Sequence, residues 1–102
     1  MEMTFVLRQF EASEELKAFI EQKVRKRLEG LLNGNSEVRV ILATEKAWTT
    51  VEVVVSSRGE VFKASEKTTE DIEPAVDGAL DKVERQVQRH KDLLQERRKA
   101  RN

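Results

Sequence analysis

The most constraining feature of this sequence is one apolar stripe near its C-terminal end. Val76, Ala79 and Leu80, Val83, Val87, His90 and Leu94 recur at helical spacing through a segment otherwise rich in charge. Pro74 lacks an amide hydrogen and therefore belongs in the first turn, with Asp71 as the N-cap. A helix from Ile72 to about Glu96 is roughly 35–40 Å long at 1.5 Å per residue. That exceeds the width of a small sheet, so its C-terminal half is expected to overhang.

The rest of the chain supplies what this helix packs on. Thr4 to Arg8 alternates apolar and polar residues as a strand does. Ser13, followed by Glu14 and Glu15, suits a helix start, and Leu16, Ile20, Val24, Leu28 and Leu31 form a second helical stripe widened by Phe19. Gly30 through Gly34 end it. Val38 to Ala43, Trp48 to Ser56 and Val61 to Ser65 read as strands, with a turn at Arg58-Gly59 and a polar connection from Lys67 to Glu70. The predicted fold is α+β, in the order β-α-β-β-β-α. The first helix is a right-handed crossover between parallel strands, and the last three strands form an antiparallel meander. Each strand has one apolar face, so a four-stranded mixed sheet carries both helices on one face.

The chain has 102 residues and no cysteine. One domain is expected over residues 1–96, with a basic, frayed tail over 97–102. No disulfide framework, thiolate zinc site or cysteine nucleophile is available. The apolar runs are too short to span a membrane, and no secretory signal pattern opens the chain, which leads to the expectation of a cytoplasmic protein. Signature motifs of nucleotide-binding, zinc-protease and serine-hydrolase sites are missing, and His90 is the sole histidine. It falls on the apolar stripe and reads as a residue at the edge of the core. The expectation is a protein that is not an enzyme and needs no metal or cofactor.

Charge is plentiful but segregated. The formal net charge is zero with 37% charged residues. Glu66 to Asp77 holds five acids against one base, whereas Asp81 to Asn102 holds eight bases against four acids. Binding follows the local patch rather than the sum. Lys82, Arg85, Gln86 and Arg89 share one stripe of the second helix, and Lys23, Lys26 and Arg27, with Arg25 nearby, cluster on the first. Were the stripes to face each other across a groove, phosphates would fit between them. The same charges also suit a solvated helix face paired with Glu21, Glu29, Asp81 and Glu84, and spacing alone does not separate the two. Arg97, Arg98, Lys99 and Arg101 form a basic arm or a solubilising end. Trp48 reads as packing at a sheet edge in preference to stacking on a base.

The run AVDGALDKVERQVQRHKDLL, Ala75 to Leu94, resembles the signature helix of the ribosome hibernation promoting factor family, which includes protein Y and is also called the sigma-54 modulation protein family. The resemblance continues at Asp71-Ile72, in the Lys23-Val24 and Lys26 pattern of the first helix, and in the Ser13 to Leu16 helix start. The chain departs from the pattern at Glu73, where an aromatic is usual, at Pro74, and at Arg27, where an apolar residue is common. The resemblance, to the short form of the family, implies a protein that binds the small ribosomal subunit and whole ribosomes. It would exclude mRNA and tRNA from the decoding channel and so inhibit translation. By matching position it implies rRNA contacts at Lys23, Lys26, Lys82, Arg85, Gln86, Arg89 and Lys91, with Arg25, Arg27, His90, Arg97, Arg98 and Lys99 as auxiliary residues. No membrane partner is implied, and the protein is expected to be a monomer off the ribosome. A general double-stranded RNA-binding module and a protein-interaction module without an RNA role are the alternatives.

Overall fold

The computed structural model of the chain describes residues 1–32 and 34–100, with side chains described as far as residue 96. The order is β1 (Glu2–Arg8), α1 (Glu14–Leu28), β2 (Glu37–Glu45), β3 (Trp48–Ser57), β4 (Glu60–Thr68) and α2 (Ile72–Ala100). The four strands lie in chain order across one sheet; β1 is parallel to β2, and β2, β3 and β4 are successively antiparallel. This is the predicted α+β arrangement.

Alternation along the strands divides the sheet into two faces. On one face, Met3, Val38, Val55 and Phe62 line up across the strands, as do Phe5, Val40, Val53 and Ala64. Both helices close over this face. Ile20, Val24 and Leu28 come from α1, and Ala75, Val76, Ala79, Leu80, Val83 and Val87 from α2, to form one core with the strand residues. Each large side chain that leaves water completely contributes about 1.5–3 kcal/mol.

Local chemistry sets the ends of the elements. The Ser13 Oγ accepts a hydrogen bond from the Leu16 amide at 3.0 Å, with Glu14 and Glu15 in the first turn of α1, as predicted. Arg58 and Gly59 both have positive φ, 50° and 79°, which a two-residue hairpin turn of matching twist requires. The strands run longer than predicted. β4 continues to Thr68, through residues expected to form a polar connection, because Thr49 and Thr50 of β3 pair with Thr68 and Lys67. A neighbouring strand supplies backbone partners whatever the side chains are.

Helix α2 is 29 residues long, about 43 Å, and the molecule measures 54 × 22 × 20 Å. Val87 is its last fully buried apolar residue, and Leu93 and Leu94 are 49% and 42% exposed. The helix therefore overhangs, as expected. It continues to Ala100, four residues beyond the expected end at Glu96. The expected basic tail falls largely outside the described residues, since side chains from Arg97 and all of Arg101 and Asn102 are not described.

Candidate nucleic-acid interface

The two basic clusters do not face each other. On α2, the core stripe separates two flanks. One flank, toward α1, presents Asp77, Asp81 and Glu84. Lys23 meets Asp77 at 2.7 Å, with its ammonium also 5.3 Å from the Phe19 ring centre. Arg27 holds both Asp81 and Glu84; its Nε donates to the Glu84 carboxylate at 2.8 Å. These pairs advance by one turn on each helix together, so α1 and α2 run in the same direction. The groove between them, a cavity of about 380 Å³ bordered by Arg27, Asp81, Glu84, Arg85 and Gln88, is lined by both signs of charge. It is not the phosphate-binding cleft that facing basic stripes would have made.

The other flank of α2 lies against β4. Lys82 meets the Glu66 carboxylate at 2.9 Å and reaches the Ser65 carbonyl at 3.3 Å, and Gln86 donates to the Lys63 carbonyl at 2.7 Å. Gly78 leaves room for this, since a Cβ there would come within 3.0 Å of the Glu66 side chain. One turn further on, His90 stands edge-on to Phe62 with ring centres 5.6 Å apart, at the border of the core as predicted.

Of the remaining cations, all but Lys91 point outward. Lys26, Arg85 and Arg89 are exposed, Lys91 is half-buried, and none of the four forms an ion pair or hydrogen bond with another described residue. Arg85 stands near enough to Asp81 for its charge to be felt there. Arg25 is held on α1 by Glu21 at 3.5 Å and Glu29 at 3.3 Å. Both expected kinds of behaviour are thus present. Arg25 and Arg27 find the acids foreseen for a solvated face, whereas Lys26, Arg85 and Arg89 remain open to a partner. Sequence reading missed Asp77 and Glu66 as partners of Lys23 and Lys82, because helical spacing does not say which flank a neighbouring element will cover. It also passed over Lys67, which lies 4.8 Å from the Trp48 ring on the sheet face that no helix covers; Trp48 remains 45% exposed.

Electrostatic coupling is strongest at Arg27. The hydrogen bond from Arg27 holds the Asp81 carboxyl below the usual carboxylate range, against a smaller opposing effect of desolvation. The Arg27 guanidinium is raised in turn, chiefly by Asp81. A carboxyl whose pKa is lower folded than unfolded contributes stability above its unfolded pKa and loses it as pH falls through the folded value. Wild type should therefore be more heat-stable than Asp81→Asn at neutral pH, and the difference should shrink toward zero as pH drops below the ordinary carboxylate range. Thermal unfolding followed by circular dichroism across pH checks this, and a gap that stays constant into acid would show that the pairing adds nothing. Solvent screening keeps the effect small.

Fold and surface together define a domain of the α+β class, a half-covered sheet whose helices display cations outward. Among the described residues no acid or histidine group is placed to hold a metal, and no helix is long and apolar enough to cross a membrane. The chain belongs to the family described as Sigma 54 modulation protein / S30EA ribosomal protein, whose profile matches residues 3–95. This family is non-enzymatic. The chain is 31% identical over 96 residues to the ribosome hibernation promoting factor of Escherichia coli, covering 94% of this chain and 99% of that one. The factor of the same name from Salmonella typhimurium is equally similar. The fold matches the crystal structure of the Thermus thermophilus Protein Y N-terminal domain with a TM-score of 0.76 at 22% identity, covering 88% of this chain and 99% of that one. A ribosomal subunit interface protein from Coxiella burnetii gives 0.76 at 20% identity, with 90% and 99% covered.

Proposed function

We propose that this protein is a ribosome hibernation factor that binds rRNA in the decoding channel of the small subunit and inhibits translation by occupying the mRNA and tRNA sites. The observation that carries this reading is the 31% identity to ribosome hibernation promoting factors across essentially their whole length. The helical surface fits it. Lys26, Arg85 and Arg89 have no ion-pair partner among the described residues and lie on the outer side of the helix pair, where a phosphate backbone can approach without displacing one. Lys91 lies off this surface, half-buried beside the hollow that α2 forms with Phe62, Val87, His90 and Leu94, and so contributes less. Lys23, Lys82 and Gln86 reach RNA only by exchanging Asp77, Glu66 and the Lys63 carbonyl for phosphate, so they contribute less. Arg27 and His90 act chiefly in holding α1 to α2 and α2 to β4. The mechanism is steric, requires no cofactor, and places the protein in the cytoplasm with the ribosomes.

Sedimentation with purified subunits tests the reading. The protein should pellet with small subunits and whole ribosomes, and stay in the supernatant with large subunits alone. Equal partition onto the large subunit would sink the proposal. Tight binding to naked duplex RNA with no preference for the small subunit would identify a general duplex-binding module instead.

A further inference from the structure

The two edges of the sheet are treated differently. At the β4 edge, the outward carbonyls of Lys63 and Ser65 are occupied by Gln86 and Lys82 of α2. At the β1 edge nothing equivalent occurs among the described residues. The Glu2 amide donates to the Ser36 carbonyl at 2.9 Å, so Glu2, Thr4, Val6 and Arg8 turn their backbone groups toward β2. Met3, Phe5 and Leu7 therefore turn their N–H and C=O groups outward, and no described residue meets them. A bare edge of this kind is a template for another strand.

The side chains select the strand. We propose that the β1 edge is a self-association surface, and that its occupant is the β1 strand of a second copy, paired antiparallel about a two-fold axis at Phe5. In that register Phe5 faces Phe5, and Met3 faces Leu7, so the free backbone groups of all three residues bond in reciprocal pairs. The same register sets Glu2 of each copy opposite Arg8 of the other. Both residues are exposed, and neither has an ionic partner among the described residues. Moving the axis to Thr4 or Val6 still sets outward backbone groups opposite one another, but it takes Glu2 away from Arg8 and so breaks the charge match that singles out the Phe5 register. The partly exposed Met3, Phe5 and Leu7 side chains, which share the helix-covered face, lose further contact with water. The product is one continuous sheet of eight strands. Such a dimer departs from the expectation of a monomer off the ribosome, which took no account of that edge. It uses no residue of the helical cation surface, so its failure leaves the function proposed above untouched.

A single strand pair is a small interface, and the association is weak and reversible, with a dissociation constant on the order of 10⁻⁵ to 10⁻³ M. Sedimentation equilibrium at rising protein concentration, with amide exchange of the same samples, tests it. The amides of Met3, Phe5 and Leu7 should gain protection as the dimer accumulates. Glu2→Arg opposes like charges at both ends and should weaken the dimer about tenfold, and adding Arg8→Glu should restore it to within about threefold of wild type. Leu7→Pro removes an outward amide that makes no ladder bond with β2, and should abolish the dimer while the fold persists. Self-association that survives Leu7→Pro, failure of the double charge swap to restore what the single reversal lost, or a wild type that stays monomeric to about 10⁻³ M would each overturn the proposal.

Discussion

Initiator tRNA and this protein are expected to displace one another from the small subunit, each raising the apparent dissociation constant of the other in proportion to its own concentration. Two ligands that need the same space must compete mutually, because linkage makes the effect of each on the other reciprocal. The reason to expect shared space is the outward cation surface of α1 and α2 on a member of this family. In a purified translation system the order of addition then matters. Protein added before initiation should inhibit strongly. Protein added to preformed initiation complexes should inhibit weakly, because the channel is already filled. Truncation after Glu96 should weaken inhibition but preserve this order dependence. The measurement is a titration of labelled initiator tRNA on small subunits. Simultaneous binding of tRNA and protein with no mutual weakening would show the channel-blocking mechanism to be wrong, even with ribosome binding established.

The second large effect concerns the open cations. Replacing Lys26, Arg85 and Arg89 together by alanine should lower affinity for the small subunit roughly 100-fold at moderate salt. It should also flatten the dependence of log affinity on log salt by about two units, since each neutralised phosphate releases condensed counterions. The melting temperature should hardly change, because none of the three is tied to another described side chain. The companion variant, with Lys23, Arg27 and Lys82 changed to alanine, should behave in the opposite way. Those residues are tied to Asp77, to Asp81 and Glu84, and to Glu66, and their loss should cost stability more than salt slope. Filter binding at several salt concentrations, beside thermal unfolding, separates the two sets. An unchanged slope in a folded Lys26, Arg85 and Arg89 variant would show these residues to be merely solvated.

The sequence by itself determined the order of elements and which face of each is apolar. Period-2 alternation in Val38 to Ala43 and Trp48 to Ser56, and helical spacing from Val76 to Leu94, are local properties that the chain cannot satisfy in many ways. They sufficed for the parallel β1–β2 pair, the antiparallel meander and the shared helical face. The Ala75 to Leu94 run was also enough to suggest the family. What the tertiary structure decided is where the flanks of those elements point. Lys82 and Arg85 belong to one stripe on a helical wheel, yet one lies against β4 and the other remains in solvent. Lys23 and Lys26 divide in the same way, one toward Asp77 and one outward. A helix's periodicity names the side that is buried, but the neighbours on either side of that stripe are chosen by the lateral packing of α1, α2 and β4. Residues that touch there, such as Lys23 and Asp77, are 54 positions apart in the chain, where no local pattern links them. The exposed β1 edge has the same origin. Whether a strand's outward amides meet a partner depends on which element lies beside it once the sheet is assembled.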